Sequence, residues 1–480
     1  MLNFKIYHWL VPVALGLAVA GCKVPTIATK TANKTVPDSF GANAAPGDTS
    51  NIAQINWKTF FKDPNLVDLI DVALQNNQEL NITLQEIEIS RNEVLMRKGA
   101  IFPSIRAGGG IGLEKVGRYT SQGAGDASTE ITPGEEVPEV LLDYAPVAYA
   151  NWEVDIWKKL RNAKKAAVTR YLASVEGRNF VVTSLISEIA NSYYELLALD
   201  GQLQIVRQNI DLQKNALEIV KIQKEAAQTT ELGVQKFQAE VLASQSMEFE
   251  ILRKITETEN RINFLLGRYP QEIKRTQTDF LSLVPAEVHT GIPSALLANR
   301  PDIRQAELEL AAANIDIQVA RAEFYPSLEI SAGLGLQAFK PSYLVKFPES
   351  LLFTLAGDLA GPIINRDAIK AEFYSANNRQ LQSIYNYERS ILNAYVGVST
   401  QLSNISNLEK SYALKSQQVD ALNRAISASN DLFKSARVDY FEVLMTQRDV
   451  LEAKLELLET KRDMMTSVVQ VYKELGGGWR

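Results

Sequence analysis

The 480-residue sequence predicts a mainly α protein with a β-barrel part, built as a duplicated repeat of long antiparallel coiled-coil hairpins and paired strands. Three observations predict it. Stepping in sevens from Val168 gives Val175, Val182, Ile189, Leu196, Leu203, Ile210 and Leu217, all apolar. The same step from Ile384 gives Ile391, Val398, Ile405, Tyr412, Val419, Ile426 and Phe433, 216 positions later. A strict seven-residue period marks a supercoiled helix, since a straight one drifts off that stripe. Each run spans about 74 Å at 1.5 Å per residue, far beyond a globular helix. Third, two segments alternate with period two, and each follows an aromatic-Pro-Ser break.

The elements follow in order. Lys5, the apolar run Trp9–Ala20 and Val19-Ala20-Gly21-Cys22 form a short export signal (1–21) ending in a lipobox. Cys22, the single cysteine, is then expected to carry acyl chains, which excludes any disulfide. Residues 22–56 read as a lipidated tether: 23–50 are rich in Thr, Ala, Asn, Gly and Pro without periodicity, as a flexible linker is. The first repeat occupies 57–270, beginning with a helical pattern over Leu66–Ala100.

After Phe102-Pro103-Ser104, the residues Ile105, Ala107, Gly109, Ile111 and Leu113 alternate with small or polar ones, as a barrel strand requires. A polar loop near 117–140 leads to a returning strand, about Leu141–Ile156, with Tyr144, Trp152 and Trp157 as interfacial aromatics. The strand pair thus spans 103–156. The helical hairpin 162–267 has no proline, folds back near Ala226–Gly233 and stops at Gly267 before Pro270.

A linker (271–297) precedes the second repeat (298–475). Pro301 opens its helix, and Phe324-Tyr325-Pro326-Ser327 echoes Ile101-Phe102-Pro103-Ser104. The strand pair 327–363 contains Leu328, Ile330, Ala332, Leu334 and Leu336 in alternation, a loop at 340–349 and a fourth strand, about Leu351–Ile363. The proline-free hairpin 366–475 turns near Ser435–Asp439. Its return helix carries the heptad Leu444, Leu451, Leu458, Met465 and Tyr472. Residues 476–480 are a tail.

Four strands do not close a membrane barrel, whose smallest examples have about eight. Open edges in lipid cost several kcal/mol per unpaired group. The barrel must therefore be shared: three copies give twelve strands, with twelve helical rods below them.

Composition excludes other classes. After the first twenty residues no stretch is apolar enough for a membrane-spanning helix. Net charge is −6 and no clustered basic face emerges, which argues against nucleic acid. With histidines only at 8 and 289 and Cys22 acylated, no thiol nucleophile, catalytic set or metal cluster remains. No enzymatic role and no cofactor beyond the lipid on Cys22 are expected.

Several stretches carry a family resemblance. Asn299-Arg300-Pro301-Asp302-Ile303-Arg304-Gln305-Ala306-Glu307, running on to Ala320-Arg321-Ala322-Glu323-Phe324-Tyr325-Pro326-Ser327, resembles the most recognisable segment of the TolC-like outer-membrane efflux proteins, lipoprotein branch. Gly476-Gly477-Gly478-Trp479 resembles that family's ending, and Trp57-Lys58-Thr59-Phe60-Phe61-Lys62-Asp63-Pro64 its early motif. Asp439 to Arg448 is similar to its second hairpin tip. The resemblance implies a homotrimer with a twelve-stranded outer-membrane barrel and a helical periplasmic tunnel. It also implies a periplasmic adaptor (membrane-fusion) protein and an inner-membrane resistance-nodulation-division transporter as partners. An exit duct for type I protein secretion is an alternative within the fold; a periplasmic coiled-coil scaffold lipoprotein is one outside it. The chain departs from the family at the tips, with Ala227 and Ala436 where glycine is usual and Gly233 where an acid is common.

The candidate site is the second tip. Asp439, Glu442, Thr446 and Asp449 fall three, four and three apart, on one helix face. Turned inward in a trimer, the acids Asp439, Glu442 and Asp449 become rings that attract cations at a periplasmic constriction. The resemblance supports Glu442 in particular. Arg300 and Asp302 read as helix-start and packing residues.

Overall fold

A computed structural model describes residues 24–40, 50–276, 279–362, 366–435 and 437–480, and 65% of the described residues are helical. The export signal, Cys22, Ile363 and Ala436 lie outside the described residues. Seven helices carry the architecture: α1 Pro64–Asn76, α2 Gln78–Gly99, α3 Lys159–Glu225, α4 Glu231–Leu265, α5 Pro301–Ala322, α6 Asp367–Lys434 and α7 Tyr440–Glu474. Four strands form one antiparallel sheet: β1 Ser104–Glu114, β2 Leu141–Val154, β3 Ser327–Leu336 and β4 Leu351–Ala360, hydrogen-bonded in that order. Central pairing is between repeats, β2 against β3.

The heptads mark the packed stripes. Val182, Ile189, Leu196, Ile210 and Leu217 on α3 are buried, and the other three of that stripe are half-buried. On α6, Ile384, Ile391, Val398 and Val419 are buried and the rest half-buried. All five α7 positions, Leu444 to Tyr472, are buried. Each such side chain removed from water contributes roughly 1.5–3 kcal/mol. At 67 and 68 residues, α3 and α6 are each about 100 Å long.

Element ends differ from the sequence reading where a local contact wins. α3 starts at Lys159 rather than Asn162, because the Asp155 carboxylate accepts from Leu160 N (3.0 Å) and Arg161 N (2.9 Å) and satisfies the first-turn donors. β2 stops at Val154, before Ile156, for the same reason. β4 ends at Ala360, two residues before Pro362, which has no N–H to continue a ladder. The loop after β1 is not irregular throughout: it holds a helical turn, Ser121–Asp126, and a two-stranded ribbon, Glu130–Thr132 with Glu135–Glu136.

The flexible-tether reading needs correction for residues 24–40. Val24 and Ile27 pack on the cluster Ala320, Phe324, Phe373 and Ala376. Further on, Lys34 bonds Glu307 (2.6 Å), and Phe40 is buried and stacks on Tyr395. These four side chains are spaced along a segment of otherwise linker-like composition, and Ser39 O and Phe40 O accept further bonds from Tyr395 and Ser399.

The chain divides into two compact units. One comprises Ile89–Tyr171 and Leu308–Ile384 with the described part of Met1–Thr31, and holds the sheet. The other comprises Ala32–Glu88, Leu172–Glu307 and Tyr385–Arg480, and holds the hairpin turns.

Candidate functional site

The sheet is the first functional element, and its register decides what each face meets. Ile105, Ala150, Ala332 and Leu355 stand side by side across the four strands, as do Ala107, Ala148, Leu334 and Phe353. Every residue on this face is apolar or tyrosine, and its side chains are unburied: Ile111 is 77% exposed and Leu355 78%. The other face runs Ser104, Asn151, Ser331, Ala356, then Glu153, Glu329, Asp358. Three carboxylates in one row, with Lys159 on Glu153 at 2.6 Å, are tolerable only against water. One face therefore suits lipid and the opposite face an aqueous lumen. β1 and β4 each pair on one side only, so both edges present unpaired backbone.

Small residues set the strand spacing. A Cβ on Gly335 would sit 2.7 Å from Val147 Cα and closer still to Pro146 O. Pro146 lacks a donor and interrupts the β2–β3 ladder between Val147↔Gly335 and the isolated bridge Tyr144↔Ala338.

The hairpin tips are the second element. At the first, Gln228 N donates to Gln223 O (2.8 Å) and Ala227 N to Lys224 O (2.9 Å), a Schellman end with Ala227 at φ +56°. Lys224 pairs with Glu231 across the turn. Gly233 is buried in the first turn of α4, beside Val234. Leu217, Val220, Val234, Phe237, Val241 and Leu444 form one core that joins both hairpins near their turns.

At the second tip Asp439 is the N-cap residue of α7, with no side-chain capping bond. Asp439, Glu442 and Asp449 are all exposed, while Val443, Leu444 and Gln447 are buried. The structure brings the three acids to the unpacked side of the helix start; Thr446 is half-buried and its hydroxyl donates to Glu442 O (2.7 Å).

Polar locks hold the hairpins to the connecting segments, and the sequence signalled only one of them. Arg300 forks onto Asp302 (2.9 and 2.8 Å) and reaches Glu474 O (2.7 Å) and Oε2 (2.5 Å). Burial opposes its charge, but the two carboxylates outweigh burial and raise the guanidinium pKa. Arg275 binds Asp200 and Glu259 and ties the linker to α3 and α4. Tyr193 donates to Asp63 (2.6 Å), the N-cap of α1. Lys461, buried with its ammonium 5.1 Å over the Tyr412 ring, has its pKa lowered by burial, partly offset by Asp279. Arg275 and Lys461 were missed because their partners lie far away in sequence.

A sequence profile of the family described as outer membrane efflux protein matches residues 69–268 and 292–477. The chain is 29% identical over 438 residues to a pyoverdine export outer membrane protein, OpmQ, of Pseudomonas aeruginosa, covering 91% of this chain and 90% of that one. It is 25% identical over 473 residues to the cation efflux system protein CusC of Escherichia coli (98% and 99% covered). The solvent efflux pump outer membrane protein SrpC of Pseudomonas putida is 27% identical over 444 residues, with 91% of each chain covered. Among solved structures, the open state of the Neisseria gonorrhoeae MtrE outer membrane channel superposes with a TM-score of 0.83 at 23% identity, covering 95% of this chain and 98% of that one.

Proposed function

The chain belongs to the outer membrane efflux protein family, and from that premise we propose that it is the exit duct of a tripartite efflux pump. Three copies close a twelve-stranded barrel, and their hairpins continue it as a periplasmic tunnel. A periplasmic adaptor and an inner-membrane transporter of the resistance-nodulation-division type complete the pump. One observation carries the reading: a sheet apolar over a whole face, mixed on the other with a row of three carboxylates, and with both edges unpaired. Such edges are stable in lipid only when neighbouring copies pair with them. The relatives' names speak of pyoverdine, cations and solvents. Cargoes that different, served at 25–29% identity, support a passive duct with selection left to the transporter.

Cys22 anchors the chain through acyl lipid at the outer membrane's inner face. The N-terminal peptide mass checks this: wild type carries acyl mass on Cys22, and a Cys22→Ser chain of the same localisation and mass pattern sinks the anchor. Asp439 and Glu442 form the constriction at the periplasmic entrance, with Asp449 about two helical turns beyond Glu442. In planar bilayers the wild type gives cation-preferring steps; Asp439→Ala with Glu442→Ala raises conductance and lowers that preference. Unchanged currents refute the constriction, and absence of any channel refutes the duct.

A further inference from the structure

We propose that the helix end of the sheet carries a basic collar that seats the phosphate headgroups of anionic phospholipids. It rests on the duct reading, since it needs the sheet to lie in a bilayer. The sequence-based view that no basic face emerges fails here. At the four passages between helix and strand, residues 94–103, 155–165, 318–326 and 361–370 hold ten basic and three acidic side chains. The connections at the opposite end of the sheet, 115–140 and 337–350, hold four basic and six acidic. In a chain of net charge −6, a positive end facing a negative one across an apolar band is a local feature.

Four of the ten collar cations are already paired with a carboxylate within the chain. Arg97 pairs with Glu93, Lys159 with Glu153, Arg161 with Asp155, and Lys370 with Asp367. Lys98, Lys158, Lys164, Lys165 and Arg321 have no carboxylate partner among the described residues. Lys158, just before α3, and Lys165, one turn past Arg161 on it, are both exposed.

Two further observations point to a lipid. Trp157 is 46% exposed, yet its ring is fixed: it stacks on Tyr325 at 4.7 Å and Nε1 donates to Pro326 O at 2.7 Å. Trp152 is fixed likewise, donating to Ile101 O at 3.0 Å. Indoles held at the end of an apolar band mark the boundary between hydrocarbon and headgroups, so the lysines beside Trp157 stand at phosphate level. Lys158 itself has φ +61°, a conformation glycine adopts more cheaply. A charged side chain kept at a strained root position, next to the interfacial ring, has a use there.

The test takes the full lipidated chain in nanodiscs of phosphatidylcholine doped with phosphatidylglycerol or with cardiolipin. Lipids retained after mild extraction are counted by mass spectrometry. The wild type retains the acidic lipids above their bulk share, and raised salt abolishes the excess. Each lysine contributes roughly fivefold, so Lys158→Gln, Lys164→Gln and Lys165→Gln together lose on the order of 100-fold, while the three Lys→Arg changes keep the excess. No excess in the wild type, or an excess that survives the Gln changes, overturns the proposal. So does displacement of the lipids by inorganic phosphate at constant ionic strength, which makes the seat one for free anion. Loss of the trimer in the Gln variant with wild-type lipid retention also overturns it, placing the lysines against a neighbouring copy. A chain that never enters the nanodisc refutes the duct reading instead.

Discussion

Replacing Arg300 by alanine tests how the start of the second repeat is held to the end of the chain. The guanidinium is 8% exposed and bonds Asp302 through Nε and Nη2 and Glu474 through Nη1. The same Nη1 donates to the Glu474 carbonyl, one of the last in α7. Removing one partner of a buried ion pair costs about 3–5 kcal/mol because the other is left unpaired. Asp302 and Glu474 keep 21% and 22% exposure, so water recovers part of this, and Arg300→Ala should cost about 2–4 kcal/mol. Arg300→Lys keeps the charge without the planar fork and should recover less than half of that loss. Hydrogen exchange is the assay, because it reports local opening in the folded protein, whereas the melting point of a protein that unfolds irreversibly is a rate. Residues 299–303 and 472–480 should exchange together and faster in Arg300→Ala, by up to several hundredfold. Trp479, which donates to Asn299 O at 3.3 Å, should shift its emission toward that of a solvated indole. Unchanged protection in both segments, or effects of Arg300→Ala and Glu474→Gln that simply add, would falsify the coupled lock.

Three other substitutions have signed outcomes. Ala227→Gly removes a side chain from φ +56° and should stabilise the first tip by about 0.5–1 kcal/mol, read as slower exchange over 223–234. Gly335→Ala places a methyl against Pro146 O and Val147 and should split β2 from β3, read as faster hydrogen exchange over 147–154 and 328–335; unchanged exchange refutes the close approach. Lys461→Met should be neutral or stabilising at pH 7. Burial lowers the lysine pKa below its ordinary 10.5, so the folded state binds fewer protons than the unfolded one. Wild-type stability then rises with pH from the depressed pKa to about 10.5, and the methionine variant should lack that rise in chemical denaturation.

Much of the fold was legible because it is repetitive. Heptads at 168–217 and 384–433 needed only counting, since a seven-residue period has one structural solution. Strand alternation at 105–113 and 328–336 was equally direct, and the observed register places those residues on one face. What escaped was non-local or conditional. Nothing near Arg275 announces Asp200 or Glu259, 75 and 16 positions away. The start of α3 depended on one side chain, Asp155, folding back onto two amides. Residues 24–40 have the composition of a linker, and only sparse anchors such as Ile27 and Phe40 dock them. The acidic tip was legible as a helix face, and the structure leaves Asp439, Glu442 and Asp449 exposed there.

The most direct test of the shared barrel is the mass of the detergent-extracted protein, by light scattering corrected for bound detergent, with negative-stain imaging of the same sample. The account predicts three chains per particle around an open axis. A monodisperse single chain that still inserts into bilayers and conducts would contradict it, because four strands would then have closed a pore with two unpaired edges.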